Sequence, residues 1–219
     1  MGEGDGARID RKPGELVGPS IPLALAQRPR FVSRGGEKLD AALDAFGIDV
    51  EGLTCLDVGA STGGFTDCLL RRGAARVYAL DVGHGQLAEV LRSDPRVVSM
   101  ERTHASHLDP DSPDRLTLPD SVYLAVIDVS FISLTRILRG VAAAITESGA
   151  IVALVKPQFE VVAAKAPRGV VRDQDVREAA IERVAEHARA IGLKVLGRIE
   201  SPLRGPAGNH EFLLHMARG

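Results

Sequence analysis

Four residues stand where apolar runs end and turns begin. They are Asp57 in C-L-D-V-G-A-S-T-G-G-F (55–65), Asp81 in A-L-D-V (79–82), Asp128 in V-I-D-V-S-F (126–131) and Lys156 in L-V-K-P-Q-F (154–159). If each run is a strand of one parallel sheet, these groups converge at its carboxyl edge, where open α/β sheets bind ligands. Adjacent strand ends lie about 5 Å apart, so Asp128 and Lys156 can pair. Pro157 keeps Lys156 out of a helix. A lysine so held can remove or polarise a hydroxyl proton, once a second cation and desolvation lower its pKa from the unperturbed value of about 10.4. The alternative is an ordinary salt bridge at the sheet edge. Lys38 and Glu211 are candidates for the neighbouring charges, although spacing alone does not bring them there.

The loop after Asp57 is rich in glycine, the usual mark of a nucleotide site. Its spacing is G-x-x-x-G-G, whereas a dinucleotide loop is G-x-G-x-x-G. A pyrophosphate would also meet the Asp57 carboxylate. S-adenosylmethionine (SAM) suits this loop better, because its ammonium and sulfonium are cationic and it carries no phosphate. Gly59, Gly63 and Gly64 would let the backbone approach the ligand. Ser61, Thr62 and Phe65 complete the loop. Asp81, 24 residues after Asp57, is placed to accept from ribose hydroxyls, and Val82 follows it. NAD would use that carboxylate equally, so Asp81 does not discriminate between the two.

These positions need a scaffold, and the pattern supplies one. Apolar runs at 53–58, 75–82, 96–100, 121–129 and 150–155 read as strands. Helical segments at 33–46, 63–72, 86–92, 134–145 and 173–191 alternate with them, with E-S-G at 147–149 as a turn. Two last strands, 193–200 and 211–216, have no helix between them. The expected fold is α/β: a Rossmann-like, mostly parallel sheet of about seven strands with an antiparallel edge and helices on both faces. Residues 158–172 read as a Gly/Pro-containing loop whose Arg168 and Arg172 could reach phosphate. Residues 1–30, rich in Gly, Pro and charge, read as a flexible or extended arm, and 31–219 as the folded domain.

Composition narrows the function. Of 219 residues, 45% are hydrophobic and 26% charged, as in a soluble globular protein. Aromatics are only 4% and Trp is absent, which argues against an aromatic base-stacking platform. A net charge of −2 gives no general attraction to nucleic acid. Cys55 and Cys68 form no metal-ligand pattern and read as core thiols. His104 and His107 lack a third ligand, so no metal is expected. No signal peptide or membrane-length apolar run is present, and the cytoplasm is the expected compartment.

Six stretches occur in an order that resembles a known family. They are F-V-S-R-G-G-E-K-L (31–39), L-D-V-G-A-S-T-G-G-F-T-D-C-L-L (56–70), V-I-D-V-S-F-I-S-L (126–134), L-V-K-P-Q-F-E (154–160), G-V-V-R-D (169–173) and G-N-H-E-F-L-L (208–214). Together they resemble the TlyA-type (haemolysin A) methyltransferases of the FtsJ-like group. The resemblance implies a SAM-dependent ribosomal RNA 2′-O-methyltransferase. It also implies a Lys-Asp-Lys-Glu catalytic set at Lys38, Asp128, Lys156 and Glu211, with Lys156 nearest the target hydroxyl. Arg34, with Arg28 and Arg30, then offers phosphate contacts or a solvated face. Where the family has E-R-T-N this chain has E-R-T-H (101–104), which puts His104 at the adenine pocket. The family normally begins with a small RNA-binding domain, and residues 1–30 do not match one. The expected partner is RNA, of a ribosomal subunit, and no membrane. A small-molecule O-methyltransferase and a non-catalytic module on the same fold remain open alternatives.

Overall fold

In the structure, a computed structural model describing residues 29–219, seven strands form one sheet. The strands are β1 (Thr54–Val58), β2 (Arg76–Leu80), β3 (Val97–Met100), β4 (Val122–Ile127), β5 (Ile145–Val155), β6 (Leu193–Glu200) and β7 (Phe212–Arg218). The helices are α1 (Gly35–Phe46), α2 (Gly64–Arg71), α3 (Glu89–Arg92), α4 (Leu138–Ala144), α5 (Pro157–Glu160) and α6 (Gln174–Ala190). Sheet order is β3-β2-β1-β4-β5-β7-β6. The arm expected at the N-terminus, including Arg28, lies outside the described residues but for Pro29 and Arg30.

Strand alternation sends each strand's residues to two separate cores. Leu56, Val58, Leu80 and Ile127 pack on one face with Leu138 and Val141 of α4 and Ile181 and Val184 of α6. Cys55, Val77, Leu124 and Val126 pack on the other with Leu39 and Leu43 of α1 and Leu69 of α2. Both cysteines are buried and free, and burial pushes each thiol up to about 12. Among the described residues, no helix is long and apolar enough to cross a membrane.

The chain runs outward through β1, β2 and β3, then returns to place β4 on the other side of β1. That reversal opens a crevice at the carboxyl ends of β1 and β4. The antiparallel strand expected at the edge is β7, and it lies one place in, hydrogen-bonded to both β5 and β6. This position matters for the site. A reversed strand starts where its parallel neighbours end, and Phe212 pairs with Val155. Glu211 and Lys156 therefore enter the same edge from opposite chain directions.

Three boundaries differ from the pattern reading. Helix α3 covers only Glu89–Arg92, because Leu87 turns inward against the glycine loop. Strand β5 reaches back to Ile145 through the expected E-S-G turn, accommodated by an irregular register opposite β4 between Val122 and Leu124. The loop 158–172 is not featureless: α5 begins at Pro157, and 3₁₀ turns follow at 163–165 and 167–169. Asp173 caps α6 as a sequence-typical N-cap, its Oδ1 accepting from the amides of Asp175 and Val176.

Candidate active site

Lys156 leaves β5 in an extended conformation, with Pro157 as the first residue of α5. Its Nζ lies 2.6 Å from Asp128 Oδ1, an oxygen with no aligned hydrogen-bond donor, and donates to Ser130 Oγ at 3.0 Å. Asp128 follows β4, and its amide donates to Val58 O at 2.9 Å. The two side chains anticipated as a pair from neighbouring strand ends do meet.

A second lysine stands behind the first. Lys38, on the second turn of α1, donates to Glu211 Oε2 at 2.5 Å. The glycine loop brings α1 to this position. A Cβ at Gly64 would stand 2.2 Å from Ser33 Oγ and 3.0 Å from Gly36 N. Similarly, a Cβ at Gly59 would lie 2.5 Å from Asp128 O, and one at Gly63 2.2 Å from Leu91 Cδ1. The sequence reading assigned these glycines to close ligand approach. The structure gives them a prior task, which is letting β4, α1 and α3 close on the loop.

The result is an open cleft of about 270 Å³. It is lined by Arg34, Lys38, Gly59, Ser61, Thr62, Gly64, Phe65, Asp128 and Lys156, together with Ser33, Gly35, Ala60, Ser130 and Pro206. Glu211 lies beneath it, fully buried.

Neither of the expected cofactor carboxylates lines this cleft directly. Asp57 is completely buried beneath the loop. Its Oδ2 accepts from Thr66 Oγ1 at 2.7 Å, and its Oδ1 has no partner. Burial first, then the charges of Asp128 and Asp81, push its carboxyl up to about 7 against the lowering effect of Thr66. Asp81 accepts from Ser61 N at 2.8 Å through Oδ2 and from Gly83 N at 2.7 Å through Oδ1. It therefore ties the loops after β1 and β2 together. Val82 is exposed beside it. The amide of Thr103 donates to Asp81 O at 3.0 Å, and exposed His104 caps the next 3₁₀ turn through Ser106.

The arginines divide. Arg34 is exposed at the start of α1 on the cleft rim. Arg168 and Arg172 are exposed on the loop before α6, Arg168 at φ 56°. Arg30 instead pairs with Asp40 and lies over the Phe31 ring. Among the described residues, no group of three or more His, Cys, Asp or Glu side chains could hold a metal.

Three participants escaped the sequence reading. Ser130 is the hydrogen-bond partner of Lys156. Phe131 is 91% exposed at φ 66°, its ring 5.2 Å from that of Phe159. Low aromatic content argued against a stacking platform, yet one aromatic pair stands beside the lysine. Asn209 is buried, accepting from Val171 N at 2.9 Å and donating to Gly169 O at 2.7 Å, so it clamps the loop that carries Arg168 and Arg172. Only its place in the G-N-H-E-F stretch could have flagged it.

Comparison with known proteins follows the same lines. The family model described as FtsJ-like methyltransferase matches residues 31–218. The chain is 47% identical over 206 residues to the 16S/23S rRNA (cytidine-2′-O)-methyltransferase TlyA of Mycobacterium tuberculosis, covering 93% of this chain and 75% of that protein. It is 42% identical over 195 residues to Hemolysin A of Brachyspira hyodysenteriae, covering 88% of this chain and 79% of that one. A solved structure described as "a putative hemolysin from Lactococcus lactis" superposes with a TM-score of 0.83 at 44% identity, covering 88% of this chain and 90% of that chain.

Proposed function

The chain belongs to the FtsJ-like methyltransferase family, and from that premise we propose that it transfers a methyl group from SAM to a ribose 2′-hydroxyl of ribosomal RNA, with Lys156 at the target oxygen. One observation carries the reading of the site: the Lys156–Asp128 pair opens onto the same cleft as the loop Gly59–Phe65.

SAM, when bound, supplies an electrophilic methyl on a cationic sulfur. The residues present suit it. The unpartnered Oδ1 of Asp57 is a buried acceptor under the loop and favours a cationic ligand above it. Asp81, Val82 and His104 form a second rim, polar and apolar, for a nucleoside. Gly59, Ser61, Thr62, Gly63, Gly64 and Phe65 would shape the floor between.

The remaining residues act on the hydroxyl. Lys156 Nζ acts on the hydroxyl as the neutral amine: its lone pair accepts the proton as the oxygen takes the methyl, and the ammonium so formed is held by Asp128 and Ser130. Lys38, bound to Glu211, adds a cation to the cleft wall. Holding the oxygen in line with the methyl is the larger part of the task. Arg34, Arg168 and Arg172 are suited to phosphates flanking the target, and Phe131 to the face of its base.

The test is label transfer. The purified protein is incubated with methyl-labelled SAM and separated ribosomal subunits, and label is followed into RNA ribose. Label that appears with the wild type and vanishes with Lys156→Ala supports the reading. SAM binding without label in any subunit directs the same site to another hydroxylated substrate.

A further inference from the structure

The stretch L-V-K-P-Q-F-E ends in Glu160, which the chemistry described above does not use. Its side chain is 2% exposed. Burying a carboxylate is costly unless it accepts well-made hydrogen bonds. Both of its oxygens do. Oε1 accepts from the amide of Leu134 at 2.8 Å, and Oε2 accepts from Ser133 Oγ at 2.5 Å. Desolvation holds the carboxyl above its ordinary range, opposed by these two bonds and by the nearby charges of Arg183 and His187. The Glu160 carbonyl also accepts from Arg183 Nη1 at 2.7 Å, which fixes this corner to α6.

The two segments joined here are those that carry the reacting pair. Ser133 and Leu134 close the loop that begins at Asp128 and contains Ser130 and Phe131. Glu160 closes the turn that begins at Lys156 and contains Phe159. Between them lie the Lys156–Asp128 and Lys156–Ser130 contacts and the Phe131–Phe159 ring contact. Phe131 holds a left-handed φ of 66° without being glycine, a conformation that persists only when the surroundings impose it. The Glu160 bonds join the far ends of the two loops, beyond the lysine contacts and the ring pair.

We infer that Glu160 is a positioning residue, whose carboxylate holds the Asp128–Leu134 loop and the Lys156–Glu160 turn in the register that sets Lys156 on its target. The inference rests on the methyl-transfer reading for its kinetic consequence and on geometry alone for its structural one.

The test separates the two. Glu160→Gln keeps an acceptor for Leu134 N and a polar partner for Ser133, whereas Glu160→Ala keeps neither. On ribosomal RNA, Glu160→Ala should lower kcat by roughly 10- to 100-fold, the scale of an ångström-sized misplacement. RNA KM and SAM affinity should each stay within about threefold, and Glu160→Gln should restore most of kcat. Equal kcat in Glu160→Ala and wild type overturns the inference, as does a Gln variant as impaired as Ala.

A second readout does not depend on turnover. The chain has no Trp, so Phe131→Trp places a single tryptophan on the loop, excited selectively over the two tyrosines. Adding Glu160→Ala should lower its anisotropy and adding Glu160→Gln should not; an unchanged anisotropy with Ala overturns the inference even if no RNA is labelled. Should Glu160→Ala fail to fold, Ser133→Ala removes one of the two bonds. It should shift kcat and anisotropy the same way by a smaller factor, and no shift in either overturns the inference.

Discussion

Two lysine–carboxylate pairs stand a few residues apart in space and differ in what surrounds them. In the first, Glu211 is sealed at 1% exposed beneath Lys38, which is 10% exposed on the cleft wall, and the two share a direct hydrogen bond. Lys156 and Asp128 are more open, at 12% and 23%, and their close approach lacks hydrogen-bond alignment at Asp128 Oδ1. The difference lies in the carboxylates: Glu211 is closed off beneath its lysine, whereas Asp128 lines the cleft beside Lys156. Topology creates the difference: reversed β7 delivers Glu211 from below the edge, whereas Asp128 and Lys156 end parallel strands that stop at it. On the proposed function, the Lys38–Glu211 pair contributes stability and field and the Lys156–Asp128 pair the chemistry.

Breaking the open pair should produce the largest effect. Lys156→Ala should lower turnover by about 10²–10⁴, the usual weight of a positioned acid or base, and leave SAM affinity within about twofold. Single-turnover methylation and equilibrium SAM binding measure the two halves. Wild-type turnover would remove Lys156 from its role. Breaking the sealed pair should instead cost stability. Glu211→Ala leaves the Lys38 ammonium buried without its partner, which costs about 3–5 kcal/mol in comparable cases. Asp128→Asn keeps an acceptor beside Lys156 and should cost less than Glu211→Ala; denaturant titration of both variants measures the two losses. Equal losses at the two sites would erase the distinction.

Much of this was legible beforehand, for a physical reason. Asp57, Asp81, Asp128 and Lys156 each end an apolar run, and strand ends of a parallel sheet share an edge by construction. The Lys156–Asp128 contact was therefore an expectation from spacing. Lys38–Glu211 spans 173 residues, and nothing local in either segment announces it. It entered through likeness to a family, and only the insertion of β7 between β5 and β6 explains it. Asp57 and Asp81 were read as facing the ligand. In the structure Asp57 Oδ2 accepts from Thr66 and Asp81 from the amides of Ser61 and Gly83, while Asp57 Oδ1 is left without a partner. A carboxylate near a glycine turn meets many backbone donors, and sequence cannot say which it will take. Phe131 was hidden because exposure and a left-handed φ are set by the loop as a whole.

Phe131 sharpens the contrast between stability and chemistry within one residue. Phe131→Gly relieves a backbone conformation that costs non-glycine residues about 1–2 kcal/mol, and it removes a ring that buries almost nothing. Stability should rise slightly, or hold. Binding of the RNA substrate should weaken by about 1–3 kcal/mol, the scale of one lost base stack. Thermal unfolding and RNA affinity should therefore move in opposite directions. A variant that loses both would make Phe131 a structural residue after all.

The last effect is one of pH and concerns Asp57, whose carboxyl is pushed up to about 7 by burial. Its ordinary value is near 3.9, so between these limits the folded chain holds a proton that the unfolded chain has released. Stability contributed by this site therefore falls as pH rises from about 4 to 7, and Asp57→Asn should flatten that slope. Cofactor affinity should move the other way. Only the ionised carboxylate attracts a cationic ligand, so SAM should bind more tightly above pH 7 and lose up to about tenfold per unit below it. Calorimetry at pH 6, 7 and 8 on the wild type and Asp57→Asn measures this directly. A wild-type affinity as flat as the variant's would mean that the buried oxygen serves the Thr66 bond and the turn, and that the cleft wall alone recognises the cofactor.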